Sequence, residues 1–206
     1  NASALNSVVK DFLIEMAKSI NISVCTARSY QQIREIFFGI PLGGYSVFMN
    51  GAMIMCHASE KIIDEHFLHF EELLKIKKIS RRFNKQFYVI KDGILREYFN
   101  EEKSSHTAII LNLSSYEWDN IKSDIENKLP NLSLKKGISL NGSGYDVIIT
   151  HQSASKENAI KKIANLHKTT TQSFVGVGDG YTDINFLSLC GLTFAMSNGV
   201  KEVKSI

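Results

Sequence analysis

Asp179 and Asp183 lie four residues apart in Val175-Gly176-Val177-Gly178-Asp179-Gly180-Tyr181-Thr182-Asp183, and carboxylates so spaced across a turn can face one centre. Magnesium suits such a pair, because it takes one or two protein carboxylates, several waters and oxygens from a phosphorylated ligand. The plainer alternative is that Asp caps the next helix and Gly marks a turn. A dinucleotide fingerprint is excluded, since it needs glycine where Tyr181 or Asp183 stands. An EF-hand is excluded too, for want of alternating oxygen ligands and a distal Glu.

Three other places carry candidate chemistry. Thr26-Ala27-Arg28-Ser29 puts a hydroxyl and a guanidinium just past a short strand and at a helix start. Free N–H groups and the helix dipole favour an anion there, and Arg28 could grip it through two hydrogen bonds. Alternatively, Thr26 or Ser29 is an N-cap and Arg28 is solvated. Asn50-Gly51 is a turn signal whose side-chain amide either reaches a ligand or only shapes the turn. Lys156 follows Ser155 at the opening of a helix. A cation there opposes the macrodipole at a cost of about a few tenths of a kcal/mol unless an anion compensates; Glu157 or a bound phosphate could be that anion.

The elements that must position these residues follow from periodicity. Ser173 to Val177 reads as a buried strand and Tyr181 to Leu189 as a helix, so Asp179 and Asp183 sit at a strand's C-terminal end, where open α/β sheets bind ligands. Ala4 to Ile20 carries a helical stripe, Ile22 to Cys25 reads as a strand, Tyr30 to Phe38 as a helix, and Tyr45 to Met49 as a strand. From about Ser59 the texture changes. Lys61 to Lys78 reads as one charged amphipathic helix, and Phe87 to Ile90 and Ile94 to Phe99 flank the hairpin turn Lys91-Asp92-Gly93. His106 to Asn112 is strand-like, and Ser114-Ser115-Tyr116-Glu117 is a capping box opening a helix that Pro130 closes. Leu132 to Leu140 and Tyr145 to Thr150 are strands with Gly142 and Gly144 between them. Ser155 opens a helix running through Leu166, and Leu192 to Met196 is a further strand. The spacing thus predicts an α+β unit over 59–150 inserted into an α/β domain made of 1–58 and 151–206.

Bulk properties narrow the function classes. The 206 residues are 44% hydrophobic and 22% charged, enough for a sizeable core. A net charge of +3 with no long basic block gives no support to nucleic acid or membrane-surface binding. No apolar run approaches the ~20 residues that span a bilayer. Three cysteines, an odd count in apolar surroundings, favour reduced thiols and a cytoplasmic protein. Nothing in the chain speaks to oligomeric state.

In order and context, Thr26-Ala27-Arg28, Asn50-Gly51-Ala52, Ser155-Lys156-Glu157-Asn158-Ala159, Gly178-Asp179-Gly180-Tyr181-Thr182-Asp183 and Ala195-Met196-Ser197-Asn198-Gly199 resemble haloacid dehalogenase-superfamily phosphatases. The match is to the Cof-like and sucrose-phosphatase-like branch, in which a large α/β cap interrupts a doubly wound Rossmann-like core. The resemblance implies a magnesium-dependent phosphatase for a small phosphorylated metabolite, a sugar phosphate above all. It implies that Thr26 and the Ala27 N–H hold the phosphoryl group, that Lys156 stabilises its charge, and that Asp179 ligates magnesium with Asp183 in support. Thr182 would contact phosphate where Asn is common, with Arg28 and Asn50 nearby. Ala27 replaces a more usual Gly. The family's first motif, Asp-x-Asp-x-Thr, which supplies the aspartyl nucleophile and general acid, has no counterpart after Asn1, since Asp11 and Glu15 lie inside a helical segment. The expectation is therefore that this motif precedes Asn1 and that further chain follows Ile206. The alternatives are a noncatalytic binding module on the same fold and a sugar phosphomutase.

Overall fold

The computed structural model describes residues 5–91, 93–139 and 144–206. Ala4, Asp92, Leu140 and Gly142, named above as parts of elements or turns, lie outside the described residues.

Helix α1 (Ser7–Met16) begins with Asn6, whose side chain accepts from the Val8 N–H at 2.8 Å. Its apolar stripe finds no buried position: Val8 is 73% exposed and Phe12 61%. Helix α2 (Tyr30–Ile36) is opened by Ser29 and Gln32 in a capping box, which settles Ser29 as the N-cap. The extended stretch between them is thinner than the sequence suggests. Of Ile22 to Cys25, only Cys25 is bridged, in parallel to Val47.

Strands β1 (Tyr45–Phe48), β2 (Met53–Cys56) and β3 (Lys61–Glu65) form an antiparallel sheet in chain order. Here the structure corrects the sequence, which reads Lys61 to Lys78 as a single helix. Lys61–Glu65 instead pairs with β2, and the consecutive β-branched residues Ile62 and Ile63 suit a strand. After β4 (Leu68–His69), helix α3 (Phe70–Arg82) starts where Glu72 turns back to accept from the His69 N–H at 2.8 Å.

Strands β5 (Phe87–Lys91), β6 (Ile94–Glu97), β7 (Ser104–Ser105) and β8 (Ala108–Leu113) follow, then helix α4 (Ser115–Lys128), β9 (Leu132–Ile138) and β10 (Tyr145–His151). Ser114 and Glu117 make the predicted capping box of α4. An antiparallel sheet in the order β6-β5-β8-β10-β9 carries α3 and α4 on one face. Leu73, Ile76 and Ile79 of α3 and Trp118, Ile121 and Ile125 of α4, spaced three or four apart, interlock there with Ile110, Val147 and Ile149. Short β4 and β7 pair with each other.

The chain then returns. Helix α5 (Lys156–Leu166) packs Ala159 and Ile163 against Val47 and Ile54. Strands β11 (Val175–Gly178) and β12 (Leu192–Ala195) run parallel, separated by helix α6 (Ile184–Leu187) and followed by α7 (Lys201–Lys204). The helix predicted for Tyr181 to Leu189 splits into a tight 3-10 turn, Tyr181–Asp183, and then α6. At the two crossings between this part and the five-stranded unit, the rings of His66 and His151 stack 5.6 Å apart at 13°. The architecture is α/β, with an α+β insertion.

Candidate active site

Thr26 follows Cys25, which bridges in parallel to Val47 of β1, and Asp179 follows β11, which runs parallel to β12. Each residue therefore sits just past the C-terminal end of an extended segment, the kind of place where α/β folds bind ligands. The Thr26–Ser29 turn is welded to the one after β1. Thr26 O accepts from the Asn50 N–H at 3.0 Å, and Arg28 O from the Met49 N–H at 3.0 Å. Met49 and Asn50 both hold positive φ, 51° and 56°, and Gly51 follows at 98°. Left-handed conformation at two consecutive non-glycine residues is costly and concentrates at functional sites. Gly51 is required here: a Cβ on it would lie 2.3 Å from the backbone oxygen of Ser155. That close approach seats the Asn50 turn on the start of α5.

Asn50 is 1% exposed, and neither its amide oxygen nor its amide nitrogen has a partner among the described residues. Burying such an amide unsatisfied costs about 1–3 kcal/mol, so the position favours a group that supplies both a donor and an acceptor.

At the start of α5, Ser155 accepts from the Asn158 N–H at 3.0 Å, and Lys156 turns inward to 7% exposure. The protein anion considered from the sequence, Glu157, does not compensate it. Glu157 pairs with Lys161 at 2.8 Å, while Lys156 Nζ donates to Asp183 Oδ1 at 2.6 Å. The other oxygen of Asp183 accepts from the Asp179 and Gly180 N–H groups, each at 2.9 Å. Asp183 therefore spends both oxygens on protein donors, locking the β11 turn and orienting Lys156. Asp179 is the opposite case. Its backbone is fixed through Asp183 and through its own carbonyl, which accepts from the Val200 N–H at 2.9 Å. Its exposed carboxylate has no partner among the described residues.

Thr26 Oγ1 accepts from the Arg28 N–H at 3.1 Å, leaving its hydroxyl hydrogen free to donate. Ala27 is half-buried beside it and Arg28 is exposed. Cys25 lies close enough to Lys156, Asp183 and Cys190 to feel their charges. Burial dominates and pushes its thiol up to about 12, so it is no thiolate nucleophile at neutral pH.

A cavity of about 940 Å³ opens over these groups, and Asn50, Lys156 and Thr182 line it together. Thr26, Ala27, Arg28 and Asp179 do not line it. Thr26 and Arg28 are tied to it through the Met49–Asn50 backbone, and Asp179 through Asp183. Four further lining residues lie outside the site expected from the sequence: Trp118 of α4, Lys135 and Lys136 of edge strand β9, and Tyr145 of β10, which the sequence favours as structural. The signal in the sequence was Lys136. It occupies the inward phase of Leu132 and Leu134, both packed on the hydrophobic cluster, where an apolar residue is the rule.

The donor set bears on magnesium. Among the described residues no three His, Cys, Asp or Glu side chains gather into a cage. Asp179 offers one open carboxylate at a strand end, which fits an ion that also takes water and substrate oxygens. Asp183 fits only behind it, as a support.

A family model for haloacid dehalogenase-like hydrolases matches residues 3–106 and 90–206. The phosphoglycolate phosphatase of Sulfolobus acidocaldarius is 23% identical over 189 residues, covering 92% of this chain and 73% of that protein. Phosphoglycolate phosphatase 1 of Saccharolobus solfataricus is 21% identical, covering 91% and 71%. A haloalkanoate-superfamily phosphatase from Bacteroides thetaiotaomicron superposes with a TM-score of 0.80 at 16% identity, covering 98% of this chain and 81% of that one. The chain belongs to the haloacid dehalogenase-like hydrolase family, in its Cof-like branch, and shares that family's α/β fold. None of its described helices is long and apolar enough to cross a membrane.

Proposed function

We propose that this protein is a magnesium-dependent phosphatase for a small phosphorylated metabolite, with residues 1–58 and 151–206 as the core and 59–150 as the cap. Strand β3 would be the arm by which the cap's first residues join the core sheet. The observation that carries the reading is Asn50: a fully buried amide with no partner among the described residues, lining the cavity that Lys156 and Thr182 share. A phosphoryl group can accept from that amide while the buried ammonium of Lys156 faces its charge. The Thr26 hydroxyl and Ala27 N–H would add donors, with Arg28 at the rim and Thr182 opposite. Asp179 would hold magnesium, Asp183 would steady Asp179 and Lys156, and the ion when bound would supply further positive charge against phosphoryl oxygens.

The nucleophile would be an aspartate on a strand preceding Asn1, forming an aspartyl phosphate that water then hydrolyses. Two observations support a strand at that place. Among the described residues, β11 pairs only with β12, and Cys25 bridges only to Val47, so each keeps a free edge. Lysine, amide and hydroxyls gather at the cavity, but among the described residues the one carboxylate that lines it, Glu157, is bound to Lys161. The three cysteines are free thiols, which suits a cytoplasmic enzyme. The sucrose-phosphatase-like motifs point to a sugar phosphate and the archaeal relatives' names to phosphoglycolate; both are small phosphomonoesters.

The test is phosphate release from a panel of such esters, with and without magnesium, by the protein carrying its natural preceding segment. Turnover that chelation abolishes is the expected result. Magnesium binding with no turnover on any ester would overturn the enzyme in favour of a binding module, and a rearranged ester without free phosphate would make it a mutase.

A further inference from the structure

The cap wall of the cavity carries two cations that no protein anion neutralises. Lys135 and Lys136 both line it, and among the described residues neither has a carboxylate partner. The nearby acids are engaged elsewhere: Glu157 with Lys161 at 2.8 Å, and Asp146 with the Asn112 N–H at 3.0 Å. Lys136 is the more constrained of the two. Its ammonium stands 3.6 Å from the centroid of the Tyr145 ring and 5.4 Å from that of Trp118. Ring faces attract a cation without cancelling its charge, so this ammonium is held in place and stays electropositive toward the cavity. Its strand β9 packs on the Tyr181–Asp183 turn, and the cap cation and Lys156 line one volume of about 940 Å³.

We propose that Lys136 is a specificity-determining residue that binds a second anionic group on the leaving portion of the substrate, a carboxylate in particular. The preferred substrates are then phosphorylated hydroxy acids over neutral sugar phosphates. This rests on the phosphatase reading for the phosphate end, because a cavity lined by a second, unpaired cation besides Lys156 suits a ligand with a second anionic group. A neutral polyol would leave the Lys136 charge facing the cavity unpaired. An aromatic-held lysine is also cheap to use: its side chain is already ordered before the ligand arrives.

The test has two arms, run on the wild type, Lys136→Gln and Lys136→Arg. In the first, kcat/KM is measured for 3-phosphoglycerate and for glycerol 3-phosphate, which differ by a carboxylate against a hydroxymethyl. The wild type should favour the acid, Lys136→Gln should lower the acid-to-neutral ratio by about tenfold or more through KM, and Lys136→Arg should keep most of it. An unchanged ratio in Lys136→Gln, or a wild-type preference for the neutral ester, overturns the proposal. In the second arm, calorimetry compares 3-phosphonopropionate with propylphosphonate, neither of which can be hydrolysed. Tighter binding of the carboxylate-bearing ligand that Lys136→Gln abolishes upholds the selector even if no ester is turned over, an outcome that sinks only the phosphatase reading. Equal binding of the two by wild type sinks the selector itself.

Discussion

The five-stranded unit, proposed as the cap, and the flanking parts, proposed as the core, build their interiors in opposite ways. In the cap, helices α3 and α4 close one face of a five-stranded sheet, and a single hydrophobic cluster runs from Leu68 to Ile149. In the core, the buried apolar residues fall into three smaller clusters, and between them lie Asn50, Lys156 and Asp183, all buried and polar. Within these 206 residues, apolar surface on β11 and β12 is also uncovered. Val175 and Val177 of β11 are 58% and 55% exposed, and Leu192 and Phe194 of β12 are 53% each. The five-stranded unit buries polar side chains too, among them Thr107, Asp146 and Thr150, but hydrophobic packing dominates its interior. The core devotes its centre to charge and hydrogen-bonding groups whose full satisfaction needs a ligand, and it depends more on each polar contact.

The strongest way to break this contrast is at Lys156. Lys156→Met leaves Asp183 as a buried, uncompensated carboxylate, and urea unfolding should show a loss of about 3–5 kcal/mol. Adding Asp183→Leu should recover part of that loss, as coupling between contacting groups requires. A single Lys156→Met variant of unchanged stability would mean the pair is not the core's keystone.

Next comes packing. Ile121→Ala removes a wholly buried side chain of the cap cluster and should cost about 2–5 kcal/mol. Val177→Ala, on the open face of β11, should stay within about 0.5 kcal/mol. Equal losses would erase the distinction between a closed and an open interior.

Gly51→Ala sharpens it at one backbone position. The positive φ alone should cost about 1–2 kcal/mol for a residue with a Cβ, and the contact with Ser155 adds to that. Because the strain falls on the turn holding Asn50, ligand binding should weaken along with stability, read by thermal shift with phosphate.

The smallest effect is in pH. Burial pulls the His57 imidazole below its ordinary 6.5, with Ser46 Oγ 2.7 Å away. Between the folded and unfolded values the unfolded chain binds more protons, so core stability should fall as pH drops below 6.5, and His57→Gln should flatten that slope. In the cap, the Ser114 N–H and Lys85 hold Glu117 below its ordinary 4.5, and Lys128 and Arg82 hold Asp124 below 3.8. Their contribution is present above those ordinary values and is lost only as pH falls through the lower folded ones. Hydrogen exchange resolved by region should therefore show the core loosening first on acidification.

Much of this molecule is written locally. The capping box at Ser114 and Glu117, the helix opened by Ser155 and the strand–turn entering Asp179 follow from side chains within a few residues of one another. Short-range hydrogen bonds and periodicity decide such features, and a linear sequence contains both. The fold class and the order of the motifs were legible for the same reason. Lys61–Glu65 was not: its charge pattern suits a helix, its β-branched Ile62 and Ile63 suit a strand, and pairing with β2 decides between them.

What the tertiary structure alone decided is which partners the charged groups choose. Lys156 lies 27 residues from Asp183, its partner, and one residue from Glu157, which pairs elsewhere. The Asn50 amide became informative only when burial removed water and no protein group replaced it. Lys136 faces the same cavity because an edge strand of the cap packs on a turn of the core. Propensity and periodicity act over one or two helical turns; desolvation and ion pairing act wherever folding brings groups together, and that is where chemistry is assembled.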